Sequence, residues 1–141
     1  MANRVYKRGL TYGVFDLLHT GHIMLLQRAR RLCKHLIVGV QEDEAVMKMK
    51  PKPILTTQER VELVESLGIA DEVVTYFEST MPSDFQTHNF NVYIHGEDWA
   101  EQTDRSEVIK YFKDNNIDLV LLPRTEGIST SEIIYRIKEQ R

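Results

Sequence analysis

Two short segments near opposite ends of the chain carry residue types that bind phosphate. They are Thr11-Tyr12-Gly13-Val14-Phe15-Asp16-Leu17-Leu18-His19-Thr20-Gly21-His22 and Arg124-Thr125-Glu126-Gly127-Ile128-Ser129-Thr130. Each reads as a strand end, a loop with glycine, and a polar residue that opens a helix. In that geometry backbone N–H groups and a helix dipole meet an anion. Two such corners in one small domain imply a polyphosphate gripped from both sides.

His19 and His22 are separated by Thr20-Gly21, with Gly21 expected to let the chain turn tightly so that both imidazoles and the next helix start share one pocket. Two imidazoles facing a helix N-terminus suit hydrogen bonding to the oxygens of a phosphorus atom under attack. Two other readings stand beside this one. A histidine pair can hold a metal, although zinc asks for third and fourth ligands at recognisable spacing, and histidines are often merely structural. In the second segment the Arg124 guanidinium can clamp phosphate, Gly127 permits close backbone approach, and Ser129 or Thr130 can both cap a helix and donate to phosphate.

The elements that must position these residues follow from apolar periodicity. Runs rich in branched residues occur near Gly9 to Gly13, at Leu36–Val40, Val73–Tyr76, Val92–Ile94 and Leu119–Leu122, as expected of strands buried on both faces. Helical stripes lie between them: Ile23, Leu26, Ala29 and Leu32 or Cys33; Val61, Val64 and Leu67; Ile109 and Phe112; Ile133, Ile134 and Ile137. Strand and helix alternate, which predicts an α/β, Rossmann-like three-layer sandwich around a parallel sheet of about five strands. Both marked segments then fall beyond the carboxyl ends of strands. Thr56-Thr57-Gln58-Glu59 and Ser129-Thr130-Ser131-Glu132 match capping boxes. Lys48 to Pro53, with two prolines and three lysines, is the expected mobile loop.

At 141 residues, 42% hydrophobic and 28% charged, the chain is expected to form one domain over residues 1–141. A net charge of −3 argues against nucleic acid or an anionic membrane as partner, so any anion is bound locally. The lone cysteine, Cys33, reads as a buried structural thiol at the end of a helical face. No signal peptide or membrane span is legible, which makes the cytoplasm the expected compartment.

Together the two segments resemble the cytidylyltransferase family, within the nucleotidyltransferase superfamily marked by HxGH. The resemblance spans nearly the whole chain. The HxGH pair alone is shared with adenylyltransferases, whereas RTEGIST beside it is specific for CTP enzymes acting on small phosphorylated alcohols. Gly96-Glu97-Asp98-Trp99 looks most like the bacterial glycerol-3-phosphate branch, where the segment has the form GDDW. The resemblance implies transfer of CMP from CTP to a phosphorylated alcohol, glycerol 3-phosphate foremost, with release of pyrophosphate. Phosphocholine, phosphoethanolamine or a related alcohol or amide is the alternative acceptor; adenylyl transfer and a non-catalytic nucleotide-binding module are the alternative functions.

The family pattern also implies roles. Thr11, Tyr12, Gly13, Val14 and Phe15 would wall the nucleotide pocket, with His19 and His22 on the triphosphate. Gly96 and Asp98 would lie near cytidine, and Arg124, Thr125, Gly127, Ile128, Ser129 and Thr130 would complete the nucleotide site. Lys50 would reach the phosphates, with Lys48 as competitor and Lys52 as the remaining alternative. Asp16 would support the histidine loop, or merely stabilise its turn, and with Asp43, Lys48 and Arg60 would serve the acceptor; Asp43 could instead lie near a metal ion, and Arg60 could instead pair with Glu59 or Glu62 on the surface. Mg2+ would enter with CTP and need few protein ligands, so no protein metal site is expected. A homodimer and a product used in teichoic-acid or capsule assembly are implied as well. Gly68 and Glu132 stand where family members carry cations, which places the neighbourhood of Gly68, with Asp43 and the lysine loop, among the expected determinants of acceptor choice.

Overall fold

A computed structural model describes residues 5–101, 103–124 and 127–140. Five parallel strands form one sheet: β1 (Tyr6–Gly13), β2 (Cys33–Gln41), β3 (Glu72–Tyr76), β4 (Val92–Gly96) and β5 (Asp118–Leu122), in the order β3-β2-β1-β4-β5. The helices are α1 (Thr20–Leu32), the short α2 (Asp43–Val46), α3 (Thr57–Ser66), α4 (Ser106–Asp114) and α5 (Thr130–Glu139), with one-turn 3-10 helices at Pro82–Phe85 and Glu97–Ala100. The expected α/β architecture is present.

The central strands are buried because helices cover both faces. On one face Leu26 and Ala29 of α1 and Val64 of α3 pack on Leu36, Val38, Val40, Val92 and Ile94. On the other, Val108 and Phe112 of α4 join Phe85, Phe90 and Trp99 over Leu10, Tyr12, Ile37 and Tyr93. Each fully buried side chain of this size contributes about 1.5–3 kcal/mol. Among the described residues no helix is long and apolar enough to cross a membrane.

Several local expectations are corrected. Helix α1 stops at Leu32, and Cys33 opens β2 instead of closing the helix; its buried Sγ donates to the Ala29 carbonyl at 3.4 Å. The edge strands β3 and β5 are only half-buried, since nothing pairs beyond them. The apolar stripe of α5 is not buried either, with Ile137 exposed beside an open apolar cleft of about 580 Å³ also lined by Leu17, Ile54 and Ile134. Thr56 and Glu59 form the reciprocal capping box, whereas Ser129 makes only its half, because the Glu132 carboxylate pairs with Arg136 at 3.3 Å. Gly68 takes a positive φ of 67° just after α3, and Asp71, three residues on, donates its N–H to Leu36 early in β2. That is the amino edge of the sheet, opposite the strand ends, so Gly68 is not a neighbour of the site.

One glycine controls packing directly. On β2, Gly39 lies between Tyr12 on β1 and Tyr76 on β3, whose rings stack across it at 3.9 Å. A Cβ there would run into the Tyr12 ring and stand 3.0 Å from Tyr76. Gly39→Ala is therefore expected to lower unfolding free energy by about 1–3 kcal/mol through overpacking. Urea titration checks this; an unchanged midpoint would contradict the packing described.

Candidate active site

The strand order reverses between β1 and β4, and in open α/β sheets ligands bind outside the carboxyl ends at such a point. From the end of β1 the chain enters a loop in which Phe15 and Leu17 hold φ values of 55° and 46°. This left-handed conformation costs a bulky residue on the order of 1 kcal/mol. Asp16, buried between them, holds the strained loop in place. Its carboxylate accepts N–H groups from Leu17 (3.1 Å), Ile54 (2.8 Å) and Leu55 (2.9 Å). Its carbonyl accepts the Thr130 hydroxyl at 2.9 Å. Asp16 thus ties three segments together, and both of its carboxylate oxygens are engaged by backbone. These bonds are those of the loop support expected of Asp16, and they leave the acceptor contact without a carboxylate oxygen that backbone does not already engage.

The same loop delivers the histidines. His19 is the N-cap of α1, and its Nδ1 accepts the Gly21 N–H at 3.1 Å, while His22 Nδ1 accepts the His19 N–H at 3.3 Å. With both Nδ1 atoms acting as acceptors, each neutral ring carries its proton on Nε2. The rings stack at 3.8 Å, and Phe15 packs edge-on against His22 at 5.4 Å. Burial lowers both pKa values. That of His22 falls to about 4, with His19 adding to the effect and Asp16 opposing it. Gly21 is not a turn glycine but part of the first turn of α1. A Cβ on it would stand 2.9 Å from the His19 ring and 3.3 Å from Ile128, so its bareness lets the two marked segments touch.

Arg60 departs furthest from expectation. Its side chain is fully buried. Nε donates to Leu55 O (3.1 Å), Nη1 to Val14 O (2.8 Å) and Gln41 O (2.7 Å), and Nη2 to Thr57 Oγ1 (3.2 Å) and the Asp43 carboxylate. These bonds commit every nitrogen of the guanidinium to the protein, and none goes to Glu59 or Glu62. Asp43 in turn is held by Arg60 and receives the Thr57 N–H at 3.4 Å. Burial pushes the Asp43 carboxyl up, but these bonds outweigh it and keep the group below the usual carboxylate range.

The lysine loop divides in two. Lys48 pairs with Glu78 at 3.1 Å and lies over the Phe77 ring at 5.4 Å, which engages its charge. Lys50 is exposed and its charge is felt by His95 at the end of β4. On the far side, Gly96, Glu97, Asp98, Glu101 and Arg124 enclose a cavity of about 130 Å³, with the Arg124 N–H 3.4 Å from the Glu97 carboxylate. Ser129 accepts the Glu132 N–H at 3.1 Å as the N-cap of α5, and Gly127 has φ 77°. Thr125 lies outside the described residues. Thr11 is wholly buried with no partner for Oγ1 among the described residues, and Tyr12 is a core residue whose hydroxyl donates to Asp84 O at 2.8 Å, so these two can offer a ligand only backbone.

His95 and Arg105 receive no role from the sequence, and Glu97 is named only as part of the Gly96–Trp99 segment. His95 had a signal, since it ends a buried strand at the sheet's reversal point. Glu97 lay within a segment already marked, but its contact with Arg124, like those of Arg105, is fixed only by tertiary folding.

The depressed His22 pKa has a sign that can be tested. The unfolded chain takes up a proton near the ordinary histidine pKa of about 6.5, whereas folded His22 does so only near 4. Stability is therefore fully present above about pH 6.5 and declines as pH falls toward 4. Asn at position 22 can replace the Nδ1 acceptor without titrating. Urea titrations between pH 7 and 4.5 should show a shallower decline for His22→Asn than for the wild type; identical slopes would contradict the burial of this imidazole.

A family profile described as cytidylyltransferase-like matches residues 10–136. The chain is 37% identical to the glycerol-3-phosphate cytidylyltransferase of Bacillus subtilis (strain 168), over 90% of this chain and 94% of that one. It is 36% identical to the ethanolamine-phosphate cytidylyltransferase of Dictyostelium discoideum, over 89% of this chain and 35% of that larger protein. A lipopolysaccharide core biosynthesis protein from Thermoplasma volcanium shares the fold with a TM-score of 0.71 at 24% identity, covering 87% of this chain and 99% of that one. With the histidine loop and the Ser129 helix start already seen to meet at the strand ends, the match over most of the chain leads to one conclusion: the chain belongs to the cytidylyltransferase-like family and is a nucleotidyltransferase.

Proposed function

We propose that the protein transfers CMP from CTP to glycerol 3-phosphate, giving a CDP-alcohol and pyrophosphate. The observation that carries this reading is the pair of neutral Nε2–H donors, His19 and His22, held against the start of α5 through Gly21–Ile128 and Thr130–Asp16. An oxygen of the acceptor phosphate attacks the α-phosphorus in line; the new P–O bond forms as the bond to the pyrophosphate oxygen breaks, and pyrophosphate leaves with that electron pair. Both imidazoles donate to oxygens that gain negative charge, and the backbone bonds to Nδ1 hold them oriented beforehand. Lys50, Arg124 and the N-terminus of α5 add positive potential on the triphosphate. Gly96 and Asp98 border the cavity proposed for the nucleoside, and the Bacillus relative supports glycerol 3-phosphate as acceptor.

Among the described residues no group of three or more His, Cys, Asp or Glu is arranged to hold a metal. The donor set agrees with this, since the histidines present N–H rather than lone pairs and Asp16 is bound to backbone. The residues fit Mg2+ arriving on the triphosphate, where it would neutralise phosphate charge. A homodimer and use of the product in surface-polymer assembly belong to the same proposal, as does a cytoplasmic setting. The exposed Tyr135 and Ile137 of α5 offer apolar surface to a second copy.

The test is pyrophosphate release with each of CTP, ATP, GTP and UTP against glycerol 3-phosphate, phosphocholine and phosphoethanolamine. CTP with glycerol 3-phosphate should be the best pair; preference for ATP, or no release from any pair, would overturn the proposal. In the same assay His19→Ala and His22→Ala should each lower kcat about a hundredfold or more, the usual loss for a preorganised donor to a transition-state oxygen. A variant keeping more than about a third of wild-type kcat would remove that histidine from the catalytic set.

A further inference from the structure

Arg105 is a second buried arginine, 9% exposed, yet unlike Arg60 it has no carboxylate within ion-pair distance among the described residues. An uncompensated buried charge is costly, and a guanidinium stays protonated even where burial lowers its pKa, as it does here. The side chain is rigidly placed. Nε donates to Trp99 O at 2.7 Å, Nη1 donates to Ser79 O and lies 3.2 Å from Ser79 Oγ, and the guanidinium stacks over the Trp99 ring at 4.5 Å. Nη2 makes no hydrogen bond among the described residues, which leaves one edge of the fork unspent.

Its position gives that edge a use. Ser79 follows β3 and Trp99 follows β4, so Arg105 bridges loops that leave the carboxyl edge of the sheet on either side of β1 and β2. The charged and titratable groups around it are Asp98, Tyr93 and Tyr76, and His95 senses both Arg105 and Lys50. Trp99 and Tyr93 pack with α4, whereas α1, which the histidines open, packs through Leu26 and Ala29 on the other face. In-line displacement requires the acceptor to approach from the side opposite the departing pyrophosphate. The other candidates for holding the acceptor are occupied, Arg60 by five acceptors and Lys48 by Glu78.

We infer that Arg105 anchors the phosphate of the phosphorylated acceptor, donating from its Nη2 edge while Trp99 and Ser79 hold the other. The inference rests on the proposed reaction with a phosphorylated alcohol. It is tested with the full-length chain and sn-glycerol 3-phosphate, measuring KM for each substrate separately in Arg105→Gln and Arg105→Lys. Arg105→Gln should raise the acceptor KM about tenfold or more and leave the CTP KM within about twofold, with Arg105→Lys between it and the wild type, since a lysine keeps the charge but not the fork. If Arg105→Gln does not fold, Arg105→Lys decides by the same split. An acceptor KM within about twofold of wild type, or a parallel rise in both KM values, would show Arg105 to be a structural staple and overturn this inference alone. No turnover by the wild type with any phosphorylated alcohol would overturn the proposed function, and this inference with it.

Discussion

The buried Arg60 guanidinium is the contact on which the geometry of the carboxyl edge depends. Its five bonds reach the loop after β1, the end of β2, the start of α2, Leu55 just ahead of α3 and the start of α3 itself. Buried carbonyls left unpaired cost about 1–3 kcal/mol each. Arg60 satisfies three of them at once, and Asp43 neutralises the charge this brings inside. Asp16 then fixes the next layer outward, holding a loop that the positive φ values of Phe15 and Leu17 would otherwise release. The strain is local, and the clamp that retains it is made of backbone N–H groups that would have no other partner.

From this scaffold follows an electrostatic arrangement suited to a polyanion in a chain of net charge −3. The histidine rings are kept neutral by burial, so they offer directed N–H groups without an intrinsic charge to be screened. Formal positive charge sits further out, at Lys50 and Arg124, and in Arg105 on the opposite layer. Under the proposed function, the triphosphate would meet dipoles at its centre and cations at its rim, a distribution that avoids burying ammonium groups beside the reacting atoms.

The alternation of apolar runs was enough to read the parallel sheet, because strands covered on both faces leave continuous branched stretches in the chain. It misled at α5 and β5, whose apolar residues share the pattern but lie at the margin, where no further layer covers them. The histidine pair was legible because HxGH is contiguous. Arg60 was recognised as a functional position but given the wrong partner: a guanidinium five residues beyond Leu55 carries no mark of whether it turns outward to a ligand or inward to carbonyls. Gly68 was misplaced for a related reason, since distance from the strand ends depends on α3 carrying the chain back to the amino edge. Arg105 was silent in a polar stretch, and only the convergence of Ser79 and Trp99 gives it meaning.

The central claim is that His19 and His22 meet the substrate as neutral imidazoles with the proton on Nε2. Nitrogen-15 NMR of the histidine side chains at neutral pH measures this directly, before and after CTP is added. The account predicts that both residues show a protonated Nε2 and an unprotonated, hydrogen-bonded Nδ1. An imidazolium signature, or a proton on Nδ1 of either ring, would contradict it.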